Sequence, residues 1–126
     1  MNESKFHICI HCGNLIGFVK SSGVPMICCG EEMKLLIPNT TDAAHEKHVP
    51  QVTSENNIIT VTVGSAAHPM TSEHLIEWIY LKTQSGGQRK NLVSGDSPAL
   101  QFTLVNDTPI AVYAYCNLHG LWASDL

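Results

Sequence analysis

The chain has 126 residues, 44% of them hydrophobic and 14% charged, and carries a formal net charge of -4. That is enough apolar material for one ordinary domain, or one domain with a small appendage, and the pattern is not that of a disordered chain. An acidic balance without a basic run excludes broad nucleic-acid binding, which needs a cationic face to release counterions, and leaves no polybasic patch for a membrane surface.

The first segment, Met1-Asn2-Glu3-Ser4-Lys5-Phe6-His7, lacks the apolar stretch of a secretory signal, and no later run reaches transmembrane length. The expectation is a cytoplasmic protein, in which cysteines serve metals more often than disulfides. From Lys5 to His11 apolar Phe6, Ile8 and Ile10 alternate with polar positions, a strand that ends in the turn Cys9-Ile10-His11-Cys12-Gly13. Two thiolates spaced C-x-x-C converge on one side of such a loop, and Gly13 lets the backbone turn back. Leu15 to Val19 reads as the return strand, Ser21-Ser22-Gly23 as a turn, and Cys28-Cys29-Gly30 supplies a second pair of sulfurs. About 35 residues bury too little apolar surface to fold alone, so a metal held by Cys9, Cys12, Cys28 and Cys29 is expected to be structural, whatever else it does. Because Cys28 and Cys29 are adjacent, the expected geometry is a distorted tetrahedron, one that accepts iron as readily as zinc.

Pro38-Asn39-Thr40-Thr41-Asp42 reads as a linker, and Ala43 to Pro50 as a single helical turn or a loop ended by the proline. From Gln51 onward the pattern is β. Ile59, Val61 and Val63 alternate with threonines, Leu75 to Leu81 is a rich apolar strand, Gly86-Gly87 reads as a turn, and Asn91–Val93, Leu100–Leu104 and Ile110–Tyr115 supply further strands. Six or seven short strands with no convincing helix predict an antiparallel sandwich of immunoglobulin-like architecture.

The histidines of this β region fall outside its strands. His48 precedes the first strand, His68 and His74 flank one loop, and His119 follows the last strand three residues after Cys116, the one cysteine outside the first 29 residues. Taken together they predict one shared mononuclear site. Five such donors are one short of an octahedron, and mixed imidazole and thiolate ligation suits an iron that keeps a position open for a small molecule.

The segments Glu46-Lys47-His48-Val49-Pro50, His68-Pro69-Met70 with His74, and Cys116-Asn117-Leu118-His119-Gly120 with Trp122 resemble those of superoxide reductase. The four-cysteine module is similar to desulforedoxin, and the fusion resembles desulfoferrodoxin, the two-iron class of superoxide reductase. The resemblance implies a desulforedoxin-like domain over residues 1–37 and a catalytic sandwich domain over 38–126. It implies two iron ions per chain, one held by the four cysteines and one by His48, His68, His74 and His119 around an axial Cys116. It further implies one-electron reduction of superoxide to hydrogen peroxide at the second iron, an external donor such as rubredoxin, and a homodimer. Lys47 would draw the anionic substrate to the open face, Glu46 would swing in to fill the sixth position of the ferric state, and backbone N–H groups near Leu118 and His119 would tune the sulfur. His7, His11 and His45 have no place in this pattern and are expected to face solvent. The competing reading is an iron or other metal protein that carries electrons, or stores metal, without substrate chemistry.

Overall fold

The structure is a computed structural model that describes residues 4–126. The first three residues of the segment searched for a targeting signal therefore lie outside the described residues. The chain divides into two compact units, Met1–Ile37 and Pro38–Leu126.

In the first unit the alternation at Phe6 and Ile8 becomes strand β1 (Phe6–Ile8), which lies between β2 (Leu15–Gly17) and β5 (Lys34–Leu36), antiparallel to both. A second ribbon pairs β3 (Ile27–Cys28) with β4 (Glu31–Glu32). Its two-residue turn is Cys29-Gly30, with φ of 53° and 76°. A tight hairpin of the primed type needs left-handed backbone at both central residues, so a non-glycine residue sits there at a cost of about 1–2 kcal/mol. Among the described residues of this unit only Phe6, Cys9 and Met33 have their side chains buried. So small a core cannot outweigh the conformational entropy of ordering the chain.

The second unit opens with one helical turn, α1 (His45–His48), and continues with seven strands: β6 (Pro50–Glu55), β7 (Ile58–Val63), β8 (Ile76–Thr83), β9 (Gly86–Asn91), β10 (Ala99–Thr103), β11 (Pro109–Cys116) and β12 (Gly120–Asp125). They form a three-stranded sheet in the order β10-β7-β6 and a four-stranded sheet in the order β12-β11-β8-β9, with antiparallel pairing throughout. Side chains alternate across a strand, so one face of each sheet supplies the core. Ile59, Val61, Val63 and Phe102 come from the first sheet, and Ile76, Ile79, Leu81, Val112, Ala114 and Cys116 from the second. This is the mostly β, antiparallel sandwich that the strand pattern predicts.

Three local expectations need correction. Gly86-Gly87 belongs to β9 and is not a turn, and the strand ends at Asn91 instead of running from Asn91 to Val93. Pairing of Thr83 with Gly86 leaves Gln84-Ser85 as the turn, and the Tyr80 ring on the neighbouring strand covers Gly87 so closely that any Cβ there would collide with it. His7, expected in solvent, is half-buried in β1 with its ring edge-on to Phe18 at 5.0 Å. His11 and His45 are exposed, although His11 pairs with Glu31 at 3.1 Å and His45 lies edge-on to Trp122. Among the described residues no helix is long and apolar enough to cross a membrane.

Candidate metal centres

The sulfurs of Cys9, Cys12, Cys28 and Cys29 all lie within 4.8 Å of one another, and none of these cysteines is in a disulfide. Cys12 Sγ and Cys28 Sγ are 3.6 Å apart. A tetrahedral ion with metal–sulfur bonds of about 2.3 Å sets sulfur–sulfur edges of about 3.8 Å, and four sulfurs within 4.8 Å of one another, with one pair at 3.6 Å, fit such an ion. The C-x-x-C loop brings in the first pair, closed by Gly13 N–H donating to the Cys9 carbonyl (2.9 Å), and the β3–β4 hairpin brings in the second. Their acidities are spread apart by crowding. The Cys9 thiol is lowered to about 6, chiefly by the backbone N–H of Cys12, whereas Cys29 is pushed up to about 12 by neighbouring sulfurs, Cys12 first. Four thiolates cannot coexist at this spacing unless a cation holds them.

The second cluster is assembled from loops at one end of the sandwich. His48 ends α1, His68 and His74 lie between β7 and β8, Cys116 ends β11, and His119 sits in the turn to β12. The donor atoms of His48, His68, His74 and Cys116 lie within 4.8 Å of one another. His119 completes the set, its Nδ1 standing 3.2 Å from His48 Nε2 and 3.9 Å from Cys116 Sγ. The four imidazoles form a quadrilateral. Ring centroids are 4.7 Å apart for His48–His68, 4.7 Å for His68–His74, 5.1 Å for His74–His119 and 5.0 Å for His119–His48, while the diagonal His48–His74 measures 6.5 Å. Adjacent rings are nearly perpendicular, at 76° to 86°, so each presents an edge nitrogen toward the middle.

Hydrogen bonds identify which nitrogen each ring offers. A carbonyl can only accept, so His48 Nδ1–H donates to Ala44 O (2.7 Å) and His68 Nδ1–H donates to Pro69 O (2.6 Å), leaving both Nε2 lone pairs free. Those two Nε2 atoms face each other at 3.2 Å. His74 Nε2 is buried with no hydrogen-bond partner. Lone pairs aimed at one another, together with a buried nitrogen that has no protein partner, fit a cation: nitrogens at right angles on one ion with bonds of about 2.1 Å stand about 3.0 Å apart. Burial holds the His68 imidazole down at about 4, and burial likewise lowers His48 and His74, so these rings are neutral and ready to ligate at neutral pH. Burial pushes the Cys116 thiol up, and the backbone N–H groups of Leu118 and His119 pull it the other way by hydrogen bonding, as expected from the loop sequence.

Local structure explains how α1 delivers His48. Gly64, just after β7, has no room for a side chain, because a Cβ would stand 2.7 Å from the Glu46 carbonyl oxygen. That carbonyl accepts from Ala66 N–H (2.8 Å) and Ser65 Oγ–H (3.2 Å), which ties α1 to the segment leading to His68. Trp122, fully buried, stacks on the His48 ring at 4.7 Å and 26°, and its Nε1–H donates to the His119 carbonyl (3.1 Å). One indole thus braces two of the candidate ligands. Sequence reasoning quoted Trp122 as part of a motif and assigned it no role; its position two residues beyond Gly120 in β12 was the available signal. Glu46 and Lys47 both have exposed side chains. Lys47 lies close enough to His74 for its positive charge to lower that ring's basicity, after burial and His119.

Comparison with known proteins agrees with this geometry. The family model described as desulfoferrodoxin matches residues 40–125. The chain is 44% identical over 124 residues to a desulfoferrodoxin of Nitratidesulfovibrio vulgaris, covering 98% of each, and 45% identical over 116 residues to a desulfoferrodoxin homolog of Archaeoglobus fulgidus, covering 92% of each. In structure it is similar to the superoxide reductase of Treponema pallidum, with a TM-score of 0.82 and 38% identity over 98% of this chain and 100% of that one. The one-iron superoxide reductase of Giardia intestinalis matches 64% of this chain and 97% of its own, with a TM-score of 0.55 and 28% identity. With a sandwich that gathers four imidazoles and a thiolate at one end, and relatives alike over nearly its full length, the chain belongs to the desulfoferrodoxin family.

Proposed function

We propose that the chain is a superoxide reductase whose reaction takes place at the His48, His68, His74, His119 and Cys116 cluster. The observation that carries this reading is the quadrilateral of four imidazoles with a buried thiol beside it, a donor set five-sixths of an octahedron in number. Soft sulfur with imidazole nitrogen suits iron, and the residues fit it. His48, His68, His74, His119 and Cys116 would hold that iron, and the chemistry it would supply is one-electron reduction of superoxide, with two protons, to hydrogen peroxide, the electron being restored by an outside donor such as rubredoxin.

The chain's own residues do the rest. His48, His68 and Cys116 are buried while His74 and His119 are partly exposed, so the substrate's route is along the His74–His119 edge. The protein is net negative and its substrate is an anion, so attraction must be local. Lys47 supplies it, from an exposed position whose field already reaches His74. Glu46, one residue earlier on the same turn and exposed, would be the carboxylate that approaches a metal held here and helps the product depart. Cys116, held by two N–H donors, places sulfur electron density where it raises the donor strength of the site. The four-cysteine site takes the second iron and holds the first unit together; residues 1–37 and 38–126 are accordingly the desulforedoxin-like and catalytic domains. A cytoplasmic setting suits the unpaired thiols, and a homodimer would cover the exposed Val24, Ile27 and Ile37 of the first unit; sedimentation of the purified protein reads that mass directly.

The experiment that tests the role of the open edge is Lys47→Ala, followed by pulse radiolysis. The second-order rate constant with superoxide is expected to fall by about 3- to 10-fold, and its salt dependence to flatten, with iron content unchanged. An unchanged rate constant removes Lys47 from the reaction. Azide or cyanide should also alter the optical spectrum of this iron; a spectrum indifferent to both would favour the electron-carrier reading.

A further inference from the structure

The five candidate ligands come from three stretches of chain, α1, the β7–β8 connection and the β11–β12 turn, and something must hold those stretches in register. His48 and His68 are tied through the Glu46 carbonyl, and His48 and His119 through Trp122. His74 shares in neither link. Its loop is closed on itself by Thr71, whose N–H donates to the His74 carbonyl (2.9 Å) and whose Oγ1 accepts from His74 N–H (3.1 Å). These bonds shape the loop without fixing where it stands relative to the other ligands.

Asn117 makes that connection. Its Oδ1 accepts from Leu75 N–H (3.0 Å), its Nδ2–H donates to the Glu73 carbonyl (2.9 Å), and its own backbone N–H donates to the Leu75 carbonyl (3.3 Å). One side chain therefore grips the residues on both sides of His74, from a position immediately after Cys116 and two before His119. The amide is used at both ends, which a carboxylate or an aliphatic side chain of the same size cannot do. We infer that Asn117 is a positioning residue: it clamps the His74 loop to the Cys116–His119 loop, and the fourth imidazole of the site depends on it.

This inference rests on the metal-site reading, and cobalt(II) tests the two separately, since it occupies imidazole and thiolate sites without redox chemistry. Hyperfine-shifted proton resonances of the cobalt protein count the ring N–H groups of bound imidazoles. The parent protein is expected to show four such resonances. Fewer than four would overturn the metal-site reading and this inference with it. In Asn117→Ala one resonance, that of His74, is expected to disappear while the other three persist, and cobalt affinity at this site to fall by about 10- to 100-fold. Four retained resonances with affinity within about twofold of the parent would overturn the clamp, as would simultaneous loss of all four in a folded protein. Asn117→Asp keeps the acceptor for Leu75 N–H and loses the donor for the Glu73 carbonyl, so it settles the matter if the alanine variant does not fold. The His74 ring proton should then exchange with solvent faster than in the parent, with the other three unaffected; an unchanged His74 exchange rate would contradict the role assigned to Asn117.

Discussion

Removing a single sulfur from the first unit, by Cys12→Ser, is expected to unfold that unit and leave the sandwich standing. Only Phe6, Cys9 and Met33 are buried among its described residues, and its ribbons are two or three residues long. A structural metal held by thiolates contributes on the order of 10–16 kcal/mol, more than the whole stability of an ordinary small domain. Losing a ligand forfeits a large part of it, and nothing else in the unit can replace that contribution. Hydrogen exchange read by mass spectrometry checks this. Amides from Phe6 to Leu36 should lose protection, while those of β7, β8 and β11 keep theirs. Full protection of both units in Cys12→Ser would mean that the first unit folds without its metal.

The second large effect is expected from Cys116→Ser. Cys116 is completely buried at the end of β11, paired with Gly120 in β12 and with Ile76 in β8. Serine fits the space, so the sandwich should survive with a loss of about 1–3 kcal/mol for a buried hydroxyl. The oxygen is a far weaker donor to a soft metal, and metal affinity should fall by more than the roughly 10- to 100-fold that follows loss of an outer hydrogen-bond partner. The sulfur-to-metal charge-transfer absorption of the oxidised centre should vanish altogether. A variant that retains that band would place the sulfur donor elsewhere.

Much of this arrangement was legible in the sequence, because the signals were of the kind that spacing conveys. C-x-x-C reports a loop, Cys28-Cys29 reports a second pair of sulfurs, and alternation at Ile59, Val61 and Val63 reports a strand with one face in the core. Histidines placed at the ends of strands pointed to a shared site, and the fold brings His48, His68, His74 and His119 around Cys116. What stayed hidden depends on contacts between residues far apart in the chain. Sequence does not show that His48 and His68 turn Nε2 inward, which follows from the Ala44 and Pro69 carbonyls, or that His119 turns Nδ1 toward His48. Nor does it show that Gly87 lies under Tyr80, that Thr83 pairs with Gly86 so that the turn falls at Gln84-Ser85, or that β12 pairs along the whole length from Gly120 to Asp125. The partial burial of His7 against Phe18 is of the same kind, set by which strand lies opposite.

The function proposed for this chain comes down to one chemical claim: at the cluster of His48, His68, His74, His119 and Cys116, superoxide would be reduced and never oxidised. The most direct measurement is the yield of hydrogen peroxide per superoxide consumed by the iron-loaded, reduced protein, with dissolved dioxygen followed at the same time. Reduction is expected to give one peroxide for each superoxide and no dioxygen. Half a peroxide for each superoxide, with dioxygen released in equal amount, would show dismutation instead, and no consumption above the spontaneous rate would show that the centre does no substrate chemistry.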